Sequence, residues 1–209
     1  MGWIVVIGSG PGGAEYITEA ARKRARTCEV LIGSSNQIHA VKPLQEQTVY
    51  EETGIERILE LLERNRGRET GVMVSGDAGI YSLAQKIIDR FGKDSVIEVV
   101  PGISSLQVAF ARIKESWMNV RVFSYHGRAL EGLEDILRHD RVAILCDHQH
   151  NSKVILGKLM DYGLFDGSRE IYVCQELTLP EERVIRIGSP EDVAKIEVNG
   201  KEIVVILSL

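Results

Sequence analysis

The segment Tyr125-His126-Gly127-Arg128 sets an imidazole and a guanidinium two residues apart, on either side of a glycine. The planar fork of Arg128 can clamp a carboxylate through paired hydrogen bonds, and His126 can donate a hydrogen bond or move a proton near neutral pH. Arg112 and Arg121 are weaker candidates for holding carboxylates. A second set of residues offers main chain instead of side chains. It comprises GSGPGG at 8–13, SGDAGIYS at 75–82 and PGISSLQ at 101–107, where a missing Cβ lets a ligand approach the backbone. Asp77 is the carboxylate of the middle stretch, and it reads equally as a ligand contact or as the acceptor of a local Asx turn. Ser104 and Ser105 stand where a helix begins, so each either caps it or meets a ligand.

These stretches need elements that bring them together. Short β-branched runs, WIVVIG, EVLIG, GVMVSG and SVIEVVPG, alternate with helix-period segments in the rhythm of a parallel sheet. A helix is predicted from about Ala14, a second lies between EVLIG and GVMVSG, and Ile55, Ile58, Leu59 and Leu62 fall on one helical face, with Gly67 as the C-cap. A parallel sheet presents the carboxyl ends of all its strands at one edge, where ligands bind. Each glycine stretch follows such an end, so the three are predicted to share a rim. After AFARIKESWMN, the runs VRVFSY, VAILCD, EIYVCQE, ERVIRIG and EIVVILSL read as strands, and the short connectors of the last three predict partly antiparallel pairing. The expected fold is α/β, with a mainly parallel N-terminal domain over 1–115 carrying the glycine loops and a mixed-sheet C-terminal domain over 116–209. Leu106, Phe110 and Ile113 are core by helical spacing, and Tyr81 is either core or pocket lining.

The formal charge of −5, with both signs interspersed, argues against nucleic acid or an anionic membrane as partner. An anionic substrate therefore needs a local basic pocket. Cys28, Cys146 and Cys174 are far apart and odd in number, which indicates neither a disulfide framework nor a zinc site and fits a reducing cytoplasm. Trp3 to Ile7 is too short for a signal segment, and no apolar run approaches the roughly 20 residues of a membrane span. Asp147, His148 and His150 lack further ligands at a fitting spacing, so no metal is expected and Asp147 reads as a cleft-facing loop residue.

GSGPGG also fits the dinucleotide fingerprint, with Gly8, Gly10 and Gly13 in its glycine places. That reading demands an acid at the end of the second strand to hold the ribose hydroxyls. VLIGSSNQ puts Gly33, Ser34 and Ser35 there, while Glu29 lies at the strand's beginning.

Taken together, IGSGPGG, VMVSGDAGIYSLA, VVPGISSLQVAFAR and FSYHGR resemble the tetrapyrrole methylase family over essentially the whole chain. The pairing of PGISSLQ with Trp117 and with Ser124, His126, Gly127 and Arg128 is similar to the branch that methylates carbon 5 of cobalt-precorrin-7 in cobalamin biosynthesis. The resemblance implies two α/β domains, a homodimer, and S-adenosyl-L-methionine held in a cleft between the domains. It implies cofactor contacts at Pro11, at Gly76, Asp77 and Ile80, at Ser104 and Ser105, and from the second domain at Cys146 and Glu176, with His126 and Arg128 facing the tetrapyrrole. Gly13 stands where the family usually has Asp, and Ala78 where it usually has Pro. A separate partner is expected to methylate carbon 15 and remove a carboxyl group. Three rival readings stay open: another activity of the tetrapyrrole methylase family, a flavin or nicotinamide oxidoreductase, and a tetrapyrrole or S-adenosylmethionine binding module without turnover.

Overall fold

The computed structural model describes residues 2–127 and 129–209, and the chain divides into two compact units, Met1–Ser104 and Ser105–Leu209. In the first unit β1 (Ile4–Gly8), β2 (Val30–Gly33), β3 (Thr48–Glu51), β4 (Thr70–Val74) and β5 (Val96–Val100) form a wholly parallel sheet in the order β3-β2-β4-β1-β5. Helices on both faces explain why IVVIG shows no polar alternation. Val5 and Ile7 face a layer made by Ala21 and Ala25 of α1 (Glu19–Thr27) and Ile38 and Val41 of α2 (Ser35–Val41). Ile4 and Val6 face Ile58, Leu61 and Leu62 of α3 (Ile55–Arg64) and Ala84 and Ile87 of α4 (Leu83–Phe91). Each buried aliphatic side chain of this kind contributes roughly 1.5–3 kcal/mol, so the sheet is a rigid base for its loops.

Three local expectations are corrected. The helix predicted from Ala14 is a 3₁₀ turn at Ala14–Tyr16, and α1 begins only at Glu19 because Thr18 caps it, its Oγ1 accepting the Ala21 N–H at 3.1 Å. The helix predicted between β2 and β4 is two helices separated by β3, a short, half-exposed edge strand whose sequence TVYE carries no apolar run. Gly67 is not the cap of α3; Asn65 is, with its Nδ2 donating to the Leu61 carbonyl at 2.8 Å, and Gly67 supplies φ +88° in the following turn.

The second unit contains α5 (Ser105–Ile113), β6 (Arg121–Ser124), α6 (Leu133–Ile136), β7 (Arg141–Leu145), α7 (Ser152–Met160), β8 (Arg169–Gln175), β9 (Arg183–Ile187), α8 (Pro190–Lys195) and β10 (Glu202–Ser208). Its sheet has the order β6-β7-β10-β8-β9, with β6 and β7 parallel and every other pairing antiparallel. Ile155, Leu156 and Leu159 of α7 pack with Val142, Ile144, Val173, Val204 and Ile206 of the sheet. Helix α5 packs on β10 with Leu106 and Phe110 buried and Ile113 half-buried. The division therefore falls at the start of α5, whereas the boundary expected at 115/116 lies at its end. Cys28, Cys146 and Cys174 are free and buried. Among the described residues no helix is long and apolar enough to cross a membrane.

Candidate active site

In the first unit, neighbouring strands β1 and β4 lead to helices on opposite faces of the sheet, which opens a crevice at their carboxyl ends. The three glycine stretches meet there, backbone against backbone. The Gly76 N–H donates to the Gly10 carbonyl at 2.8 Å and the Gly10 N–H to the Gly76 carbonyl at 3.2 Å. A Cβ on Gly8 would lie 2.6 Å from the Gly102 nitrogen, and one on Gly102 would lie 2.8 Å from the Gly8 carbonyl carbon and overlap the Gly76 oxygen. These glycines are thus required by one another, before any ligand is considered. Asp77 ties the same loops: its Oδ1 accepts the Gly79 N–H at 2.8 Å, closing an Asx turn, and its Oδ2 accepts the Gly102 N–H at 2.9 Å.

Gln37, which sequence reasoning passed over, links two of these loops to the end of β2. Its Oε1 accepts the Ser34 N–H at 2.9 Å in a capping box, and its Nε2 donates to Ser9 Oγ at 3.0 Å and Ser75 Oγ at 3.3 Å. The capping-box signature Ser34-x-x-Gln37 was the available signal.

Of the expected cofactor positions, Pro11, Gly76, Asp77, Ile80 and Ser104 belong to this rim. Pro11 and Ser104 are buried, and Ile80 is half-buried with its N–H on the Asp77 carbonyl at 3.3 Å. Ser104 immediately precedes α5 and Ser105 is its first residue. The three stretches contain no Lys or Arg, and Asp77 is their only formal charge. Such a rim fits a neutral or cationic ligand. It fits a pyrophosphate poorly, because the N-terminus of α1 stands away from the glycines and carries Glu19 in its first turn. At the end of β2, moreover, Ser34 is occupied as the cap of α2. The dinucleotide reading thus lacks both its anion cradle and its ribose acid.

The second unit builds a smaller rim at the parallel ends of β6 and β7. Asp147, with its side chain 8% exposed, accepts N–H bonds from Gly127 at 2.8 Å on Oδ2 and from Gln149 at 2.9 Å and His150 at 2.6 Å on Oδ1. Burial pushes this carboxyl up, but the three backbone donors together with nearby His150 outweigh it and hold it below the usual carboxylate range. His126 is exposed, its Nδ1 3.4 Å from the Cys146 carbonyl oxygen. Arg128 lies outside the described residues. Cys146 directs its thiol into the core, so contact from this position comes from the main chain.

Glu176 takes φ +45° just beyond β8 and accepts the Lys201 N–H on Oε1, so tightly that a Cβ on Gly200 would collide with it. The carboxylate of Glu202 is buried, joining the Ser152 N–H at 2.7 Å to Gln175 Nε2 at 2.7 Å. Arg112 forks onto Glu182, and Arg121 lies over the Phe123 ring at 5.8 Å. Among the described residues no three His, Cys, Asp or Glu side chains group as metal ligands. A groove lined by Phe165, Arg169, Arg186 and Asp192 lies at the other end of this sheet, away from Asp147. Its arginines are engaged, Arg169 with the carbonyls of Leu137 and His139 and Arg186 with Glu170.

The family model described as Tetrapyrrole (Corrin/Porphyrin) Methylases matches residues 4–191. The chain belongs to the tetrapyrrole methylase family. Its methylase fold is similar to that of uroporphyrin-III C-methyl transferase from Thermus thermophilus complexed with S-adenyl homocysteine, with a TM-score of 0.76 at 18% identity over 99% of this chain and 97% of that one. Among curated methylases, it is 26% identical over 187 residues to a probable cobalt-precorrin-7 C(5)-methyltransferase of Methanocaldococcus jannaschii, covering 87% of each chain. It is 24% identical over 181 residues to the cobalt-precorrin-7 C(5)-methyltransferase of Salmonella typhimurium, covering 87% of this chain and 88% of that one. Within this methylase, both aspartates and Gln37 order loops at strand ends.

Proposed function

We propose that this chain methylates carbon 5 of cobalt-precorrin-7, with S-adenosyl-L-methionine as the methyl donor. The observation that carries the reading is the glycine rim of the first unit, built from three stretches in which Asp77 is the one formally charged residue. Bound S-adenosylmethionine supplies a methyl group already activated by a sulfonium charge, and three stretches that together carry one carboxylate and no cation fit that charge. The branch within the family is supported by the likeness to the two C(5)-methyltransferases.

Methyl transfer of this kind asks the protein chiefly to align two reactants and exclude water. Pro11, Gly76, Ile80 and Ser104 would bound the donor, and Asp77 would fix the loops that do so. Ser105 would add its hydroxyl from the start of α5. On the second rim Asp147 fixes Gly127, and so the direction in which His126 leaves the main chain. Arg128 would clamp a substrate carboxylate and His126 would donate a hydrogen bond to one. Cys146 and Glu176 would contribute main-chain atoms, since the thiol faces the core and the carboxylate is held by Lys201 N–H. The same reading makes the protein a cytoplasmic homodimer that works beside a separate carbon-15 methylating decarboxylase.

Incubation with cobalt-precorrin-7 and S-adenosylmethionine tests it. Mass spectrometry is expected to find one added methyl and NMR to place it on carbon 5; a methyl elsewhere on the ring overturns the branch, and no binding of S-adenosylmethionine at millimolar concentration overturns the whole reading.

A further inference from the structure

Tyr81 joins the first rim in a backbone conformation its own side chain disfavours. Its φ is +46°, in the left-handed region where Cβ crowds the following carbonyl oxygen and a bulky residue is an outlier. The residue is nevertheless 49% exposed, so core burial does not compensate the strain. Both flanks hold it in place. Before it, Asp77 accepts the Gly79 N–H at 2.8 Å on Oδ1 and the Ile80 N–H at 3.3 Å on its carbonyl. After it, Ser82 Oγ donates to the Ala78 carbonyl and accepts the Ala84 N–H at 3.1 Å, which starts α4. A turn that needed only this geometry would be served by glycine with no steric penalty. Strain that neighbouring bonds maintain at the mouth of a ligand crevice points to a use for the side chain itself. That side chain is a flat π-system with a polar tip, which suits the face of a conjugated macrocycle.

We infer that Tyr81 is a substrate-contacting residue, its ring offering a stacking face to the tetrapyrrole at the rim of the parallel sheet. The inference rests on the tetrapyrrole reading above and adds the residue that sets the plane in which the macrocycle lies.

Wild type, Tyr81→Gly and Tyr81→Phe are compared in four measurements: thermal midpoint, calorimetric affinity for S-adenosylhomocysteine, affinity for uroporphyrin III from its fluorescence, and KM for cobalt-precorrin-7. Tyr81→Gly is expected to keep or raise the midpoint, because it relieves the strain. It should weaken uroporphyrin III and raise KM by about tenfold while leaving S-adenosylhomocysteine within about twofold. Tyr81→Phe keeps the face and should stay within about threefold of wild type on every reading. Unchanged uroporphyrin affinity in Tyr81→Gly, an equal loss for S-adenosylhomocysteine, or a midpoint lowered by several degrees overturns the inference. If wild type binds uroporphyrin III but leaves cobalt-precorrin-7 unmethylated, the carbon-5 reading falls while the uroporphyrin comparison still decides for Tyr81. A wild type that binds no tetrapyrrole overturns both.

Discussion

Asp77 and Asp147 sit just beyond parallel strands in different units and divide their carboxylates alike: one oxygen closes the residue's own turn and the other takes the N–H of a glycine in a neighbouring loop. What differs is the glycine. Gly102 is required by space, since any Cβ there meets main-chain atoms of Gly8 and Gly76. Gly127 has nothing within 4 Å of its Cβ position and is required by its φ of +64°. Backbone cannot step aside as a side chain can, so the first rim tolerates almost no change. The second is held by torsion and by charge, and both can be adjusted.

The sharpest test of this contrast is Gly102→Ala, which should destabilise the protein by about 3 kcal/mol and lower the thermal midpoint by roughly 6–12 °C. An effect under about 1 kcal/mol would mean that the first rim can breathe and would dissolve the distinction. Next comes Asp147→Ala, which strands three backbone donors around a nearly buried site and should cost about 2 kcal/mol in urea denaturation. Gly127→Ala, limited to the torsional penalty, should cost about 1 kcal/mol; a value matching Gly102→Ala would break the comparison from the other side. The smallest effect is in pH. The folded-state pKa of Asp147 is depressed, so its contribution is complete above the unfolded value of about 3.9 and is lost as pH falls through the lower folded value. The stability gap between wild type and Asp147→Asn should therefore hold from neutral pH down to about 4 and close below it.

Much of this architecture was legible because period and burial agree. The central runs IVVIG and GVMV lack alternation, as strands covered on both faces must, and the C-terminal runs joined by short connectors do pair antiparallel. Strand β3 was illegible because a four-residue edge strand carries too little apolar signal. The glycine stretches could be placed on one rim from topology alone. Their reason could not, since glycine conserves space against whatever approaches, and only the fold shows that the first thing to approach is another loop. Gln37 was missed because its role lies in bonds to Ser9 and Ser75, 28 and 38 residues away in sequence. The thiol of Cys146 also faces inward, which strand-end position by itself does not reveal.

The three buried cysteines have a practical consequence. Burial pushes the thiols of Cys28 and Cys174 up to about 12 and raises that of Cys146 as well, so at neutral pH none offers a thiolate to an alkylating reagent while the chain is closed. Labelling then becomes a clock for opening. Cys28 times the first unit, Cys146 and Cys174 time the second, and the order in which their peptides gain mass tells which half of the molecule gives way first.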